Sequence, residues 1–372
     1  MAMNVQRATR QKLVALGELA DRVFRPQLPP GTGMPKEYAR LFHPDNAENL
    51  YYVADDQGTP ISMVATYPCE LVVGPAKLSA IAIGSVGTLA DYRGRGHATE
   101  ILNNIVEAVR SEYALMLVSG ARPLYDRLGC VPFGQLLKAA WVIDDHDLQH
   151  EAAVVEEVSD IASVAHALHR VYVQETCRYR RTFEEMISFL KSISAPRYRS
   201  RSQATRVFSL GVQGEIAGYA VATPSRDGTR VEVLEWAGTR SHVVSLVERA
   251  TRLMGASLVE LRLQPEDVSL RAQLINRGIS LEPVPNQGTL SILDLGRLVT
   301  ESNPLITERF GSPLSVVSEE SGELGLAWSE PETRLHELPL PSHGDRRTLA
   351  TWLYTPSGLN LPLPDTAGLN FV

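Results

Sequence analysis

An apolar run over 78–86 reads as a strand, 98–110 reads as an amphipathic helix, and the chain between them turns on two glycines flanked by two arginines. No other stretch constrains the fold as tightly. A strand that passes through Arg93-Gly94-Arg95-Gly96 into a helix start directs the helix's unpaired N–H groups, and the positive end of its dipole, at one point. Such a point suits an anion, phosphate above all. Glycine lets the backbone approach the anion closely, and Arg93 and Arg95 can add charge-assisted hydrogen bonds.

The identity of the phosphate ligand narrows by exclusion. A dinucleotide fingerprint requires a third glycine where Thr99 stands, and no acidic ribose partner follows on a later strand. A nucleoside triphosphate loop requires Gly-Lys-Ser/Thr, which is absent. What remains is Arg-x-x-Gly-x-Ala, with Arg93, Gly96 and Ala98 at its defining places. Downstream, 113–118 reads as a short buried strand by its continuous apolar character. Ser119-Gly120-Ala121-Arg122-Pro123 then breaks the chain and opens a helix, with Pro123 suited to a first turn. Tyr125 follows, ahead of Leu128-Gly129-Cys130.

The phosphate loop and the tyrosine segment together resemble the GNAT superfamily of N-acetyltransferases, with Cys130 where phenylalanine is usual. The resemblance implies acetyl-coenzyme A as cosubstrate and no metal. It implies two central strands that splay so that the pantetheine arm inserts between them. Backbone groups of Val86 and Thr88 then contact the pantetheine and thioester. The loop Arg93, Gly94, Arg95, Gly96, His97, Ala98 and Thr99 holds the pyrophosphate, and Ser119 belongs to the same coenzyme-binding set. Tyr125 serves as the acid for the departing thiolate, since a phenol of reference pKa about 10 is protonated at neutral pH. The base stays open among Glu70, the α-carboxylate of Val372 and a water chain. Against these roles stand plainer ones: a simple strand-to-helix turn for the loop, a core aromatic for Tyr125, a solvated strand residue for Glu70.

At 372 residues the chain has room for two or three domains and an ample core. Its 44% hydrophobic and 21% charged residues are those of a globular protein, and a net charge of −7 argues against nucleic acid and for a cationic acceptor. Cys69, Cys130 and Cys177 cannot all pair and show no metal-ligand spacing, so reduced thiols are expected. The N-terminal apolar stretch, interrupted by Glu18, does not read as a signal peptide, and no apolar run reaches membrane-spanning length. The cytoplasm is the expected compartment.

The fold class expected is α/β (α+β): tandem GNAT folds with mixed, splayed central sheets and a small α+β C-terminal domain. The expected boundaries are 1–145 for the catalytic copy, 151–293 for a degenerate second copy and 294–372 for the last domain. In the first copy, 11–23 reads as a helix, and strands 50–55 and 61–73 flank an Asp56-Gln57-Gly58 turn. In the second, helices at 161–175 and 183–194 precede strands at 207–212, 216–222 and 231–237, a helix at 243–254 and a strand at 258–263. This repeats the order of the first copy. After Trp236, however, only Ala237-Gly238-Thr239-Arg240-Ser241-His242 follows, without Arg-x-x-Gly-x-Ala. Tandem copies with one degenerate member resemble the enhanced-intracellular-survival branch. In that branch a sterol-carrier-like domain comes third, the chain terminus enters the active site, and the proteins assemble into oligomers. The proline-stiffened tail 361–372 is expected to dock into a groove.

Two further readings belong to other classes: an acyl-coenzyme A-binding module without turnover, and an adaptor using Arg178-Tyr179-Arg180-Arg181 and 196–201 on nucleic acid. The net negative charge favours a solvated, ion-paired surface for those arginines, and an amine-acetylating enzyme with no nucleic-acid or membrane partner.

Overall fold

The computed structural model describes residues 4–143, 153–192, 205–318, 324–329 and 344–366. They fall into two compact units. The first combines described residues of 1–134 and 286–364, and the second those of 135–285 with 365 and 366.

The first unit opens with β1 (Gln6–Arg7), α1 (Leu13–Phe24) and α2 (Met34–Glu37), then β2 (Leu50–Ala54), β3 (Pro60–Val73) and β4 (Ala76–Thr88). The β3–β4 hairpin closes through Gly74 at φ +54° followed by Pro75, a glycine-first turn whose twist matches the flanking strands. α3 (His97–Val109) crosses over to β5 (Leu115–Val118), and α4 (Pro123–Asp126) is one short turn. α3 is amphipathic: Ile101, Leu102, Ile105 and Val109 are buried with Ile81, Ile83, Met116 and Val118 of the sheet.

The second unit carries β6 (Gln135–Val142), β7 (Val154–Glu157), α5 (Ile161–Tyr172), the short β8 (Cys177–Tyr179) and α6 (Phe183–Ser192). Next come β9 (Arg206–Val212), β10 (Glu215–Pro224), β11 (Arg230–Gly238), α7 (Arg240–Leu253), β12 (Leu258–Leu263), α8 (Val268–Asn276) and β13 (Leu281–Pro285). Its sheet order is β13-β6-β12-β11-β10-β9-β7, in which only β11 and β12 are parallel. The β9–β10 turn places Gln213 at φ +52° and Gly214 at φ +85°, the two left-handed residues a tight hairpin requires.

The chain then returns to the first unit as β14 (Thr289–Ile292), α9 (Leu295–Phe310), the hairpin β15 (Leu314–Ser318) and β16 (Leu324–Trp328), and α10 (Arg346–Tyr354). Strands β1, β2, β3, β4, β5 and β14 lie side by side in that order; β4–β5 is parallel and every other pair antiparallel. The parallel pair is the one joined by the α3 crossover, as the geometry of a βαβ unit demands.

Two placements differ from the sequence expectation. β6 was expected to close the first domain, but it pairs with β12 and β13 in the second unit's sheet. β14 was expected within the second domain, but it completes the first unit's sheet beside β5. Residues expected as a separate sterol-carrier-like domain also group with the first unit. Alternating apolar residues identify a strand, and long-range pairing alone decides which sheet takes it. Of the tail, Leu361 and Leu363 are buried and the Asn286 amide donates to the Pro364 carbonyl at 2.9 Å; 367–372 lie outside the described residues.

Candidate active site

The ladder between β4 and β5 runs from Ala80–Leu115 to Ile83–Val118 and stops there. β4 continues to Thr88 without a neighbour on that side, so a crevice opens beyond Ile83. A bulge sits at the point of divergence. Met63 pairs with Gly87 and Ala65 with Gly84, which sets Ser85 and Val86 of β4 against the single residue Val64 of β3. Ser85 takes φ +49°, in the left-handed region. A bulge of this kind bends a strand and sharpens its twist, which carries the end of β4 away from β5.

At the mouth of the crevice the chain turns through two left-handed glycines into the start of α3. Gly94 and Gly96 adopt φ +76° and +85°, conformations that side-chain-bearing residues take at a cost. Gly96 is the N-cap of α3, and no side chain caps the helix. The first helical bond runs from the Glu100 N–H to the Gly96 carbonyl. The N–H groups of His97, Ala98 and Thr99 therefore start the helix without an internal acceptor. Arg93 donates through Nε to the Thr88 carbonyl at 3.0 Å, and Arg95 donates to the Asp91 carbonyl at 2.9 Å while lying over the Tyr92 ring. Neither guanidinium makes a salt bridge among the described residues, so each keeps further N–H groups for an anion. The arginines thus brace the loop's own backbone as well as charging it.

Tyr125 is buried on α4, within the core that α3 closes. Its backbone N–H donates to the Arg122 carbonyl at 2.8 Å, and its ring lies against Gly120, where a Cβ would come within 3.4 Å. Its hydroxyl makes no hydrogen bond among the described residues. Burial raises its pKa above the ordinary 10, with the Arg122 charge opposing, so the phenol is protonated throughout the neutral range. Ser119, directly after β5, is half-buried. Cys130 is not a nucleophile. Burial pushes its thiol up to about 12, although a hydrogen bond with Thr289 works in the other direction.

Glu70 does not join this group. It pairs with Ser79 near the far end of the β3–β4 hairpin. From Ser79 to Val86 the strand advances about 23 Å at roughly 3.3 Å per residue. Burial pattern in the sequence could not show this, because register sets the distance. Val372 lies outside the described residues. Three neighbours of the crevice were not singled out from the sequence. Val23 and Phe24, at the end of α1, press on Gly87 so closely that a Cβ there would meet them at 3.3 and 3.2 Å. The Ser62 hydroxyl pairs with that of Thr88 at 2.8 Å, joining β3 to the end of β4. Only the smallness of Gly87 hinted at these contacts.

Residues 4–133 match the family model for an acetyltransferase (GNAT) domain. The first unit carries a GNAT acetyltransferase domain. No curated protein sequence matches the chain. Its fold resembles a probable N-acyltransferase of Enterococcus faecalis, with a TM-score of 0.64 at 15% identity over 88% of this chain and 85% of that one. It also resembles a GCN5-related N-acetyltransferase of Anabaena variabilis, with a TM-score of 0.64 at 14% identity over 98% and 95%. Eis1 of Mycobacterium abscessus shares the fold too, with a TM-score of 0.58 at 13% identity over 89% and 86%.

The second unit contains the same strand–helix–strand arrangement, but its crevice is filled. β11 and β12 pair only from Arg230–Leu258 to Glu232–Glu260, and β11 then runs on to Gly238. There the Trp236 indole N–H donates to the Arg262 carbonyl of β12 at 2.9 Å, closing the gap. At the start of α7, Glu175 accepts from the Gly238 N–H at 3.0 Å and from two Arg240 N–H groups at 2.9 and 2.7 Å. Asp267 takes the remaining Arg240 Nε at 2.6 Å. α7, like α3, has no side-chain cap, but in the second unit the chain's own carboxylates hold the Arg240 guanidinium and the Gly238 N–H just ahead of the helix.

Proposed function

We propose that the chain is an acetyl-coenzyme A-dependent N-acetyltransferase acting on a primary amine of a small or cationic acceptor in the cytoplasm. The observation that carries this reading is the uncapped start of α3 at the mouth of a crevice between diverging parallel strands. A diphosphate held by the N–H groups of His97, Ala98 and Thr99, with Arg93 and Arg95 beside it, leaves a pantetheine arm to run along Thr88 and Val86. The thioester then lies at the bulge. There the amine nitrogen attacks the thioester carbonyl carbon, negative charge develops on the carbonyl oxygen, and the C–S bond breaks as the carbonyl reforms. The sulfur leaves with the bonding pair and takes the Tyr125 phenolic proton, and the nitrogen loses one proton to a base. The Val372 carboxylate and a water chain are the two bases consistent with this reading; Glu70 lies too far along the hairpin.

Binding energy used to hold amine and thioester in reacting geometry supplies the larger share of the rate in such direct transfers. A carboxylate placed among the anion-binding N–H groups should abolish coenzyme binding. Gly96→Asp is therefore expected to lose acetyl-coenzyme A affinity in calorimetry by at least two orders of magnitude, and unchanged affinity would refute the phosphate-loop reading.

A further inference from the structure

The two faces of the first unit's sheet differ at the crevice. Val64, Ile83 and Val86 pack in the core that α3 closes. Gly87, the next residue of β4, faces the other way, against the end of α1. Successive strand residues point to opposite faces, so α3 and the end of α1 lie on opposite sides of the sheet where β4 loses its neighbour. The α1 side is closed tightly. A Cβ on Gly87 would come within 3.2 Å of Phe24 Cε2 and within 3.3 and 3.5 Å of Val23 Cγ1 and Cβ. Carbon atoms in contact need about 3.5–4.0 Å, so no methyl group fits between β4 and these side chains. Val23 and Phe24 are only half-buried, so they form a wall with an open side as well as packing on the strand.

The wall is also held in place. Arg25, directly after Phe24, is buried and donates through Nη1 to the Phe24 carbonyl at 2.8 Å. Its Nε and Nη2 hold the buried Glu37 carboxylate of α2, and its backbone N–H donates to the Asp21 carbonyl at 2.7 Å. Separating a buried ion pair leaves a charge without a partner, so this pair resists any shift of the end of α1. In the function proposed above, the diphosphate lies at the start of α3 and the thioester at Val86. We propose that the acyl group continues past Gly87 to the α1 side of the sheet, and that Val23 and Phe24 there limit it to the size of an acetyl group. A methyl beyond the thioester carbonyl stops short of the wall. Each further methylene presses on side chains that are already in contact with β4 and cannot retreat without disturbing Arg25 and Glu37. Overpacking of this kind is penalised at every added carbon.

The proposal rests on the coenzyme reading of the crevice, and the test separates the two. Acetyl-, butyryl- and hexanoyl-coenzyme A are titrated by calorimetry into the full wild-type chain, Phe24→Leu and Phe24→Ala, with thermal melting to confirm that each is folded. Binding needs no acceptor, so the result does not depend on which amine the enzyme uses. Wild type is expected to hold hexanoyl-coenzyme A at least tenfold more weakly than acetyl-coenzyme A, on the order of the penalty for overpacking, with butyryl-coenzyme A between. Phe24→Ala opens the wall and should cut that ratio by about threefold or more. Phe24→Leu, the milder change should the alanine variant fail to fold, should cut it by about twofold or more. The ratio is read within each variant, so a general loss of stability or of coenzyme affinity cancels. Wild type that binds acetyl-coenzyme A and holds hexanoyl-coenzyme A within tenfold of it overturns the wall alone, and so does a wild-type ratio retained by the folded variants. Wild type that binds none of the three overturns the reading of the crevice and this proposal with it.

Discussion

Tyr125 and the Arg181–Glu235 pair show how differently burial acts on single residues. Tyr125 is placed in a core yet keeps a hydroxyl without a described partner, and burial holds it protonated. Tyr125→Phe should lower turnover by about a hundredfold or more, in line with loss of a general acid, while coenzyme affinity stays near wild type. Because the acid acts in its protonated form and its pKa is raised, wild-type turnover should fall on this account only as pH climbs past 10; a pH–rate profile with an earlier loss that vanishes in Tyr125→Phe would show a lower pKa in the working enzyme. Arg181 is the opposite case, with every group satisfied. Its guanidinium lies over the Tyr172 ring and makes two bonds to Glu235, at 2.8 and 2.7 Å, and Glu235 also accepts from the Tyr219 hydroxyl at 2.7 Å. Glu235→Ala would strand a buried cation and should destabilise the fold by roughly 3–5 kcal/mol in denaturant unfolding. The net negative charge favours a solvated, ion-paired face for the arginines around 178–181; Arg181 is instead a core residue.

At the scale of elements, the crevice is the joint product of β4, β5 and α3. The strand and helix were legible as patterns: α3 is predicted over 98–110 and found at His97–Val109, and the strand predicted over 78–86 runs Ala76–Thr88. The bulge was not legible, because an extra residue in one strand appears only against its partner's register. The position of β4 is held from outside the sheet as well. Glu301 of α9 accepts the Ser79 backbone N–H at 2.7 Å and its hydroxyl at 2.8 Å. Glu301→Ala leaves that strand N–H unpaired and should cost about 1–3 kcal/mol, measured as a shift of the unfolding midpoint without change of its slope. α9 itself starts on Asp294, whose carboxylate accepts the Arg297 N–H at 2.9 Å; Asp294→Ala should cost about 1 kcal/mol in the same assay.

Over the whole molecule, two units repeat one sheet plan with opposite outcomes at the crevice. The GNAT domain leaves arginines at its helix start without an ion pair among the described residues, while the second unit pairs Arg240 at the start of α7 with Glu175 and Asp267 and closes its own gap with Trp236. Calorimetric titration with acetyl-coenzyme A should accordingly saturate near one equivalent per chain; a value near two would show that the Glu175 contacts yield to a ligand. No helix among the described residues is long and apolar enough to cross a membrane.

Local chemistry was written in the residues themselves. Glycines at two left-handed positions, an uncapped helix start and a tyrosine behind a proline-led turn are short-range features, and short-range sterics and hydrogen bonding determine them wherever the rest of the chain goes. Which sheet receives β6 and β14, how far Glu70 lies from Val86, and that Ser85 carries the bulge depend on pairings between residues distant in sequence. Register and crossover have no local signature, since a one-residue slip changes every neighbour without changing a single amino acid. Tertiary structure alone made those choices, and with them it gathered one crevice and filled the other.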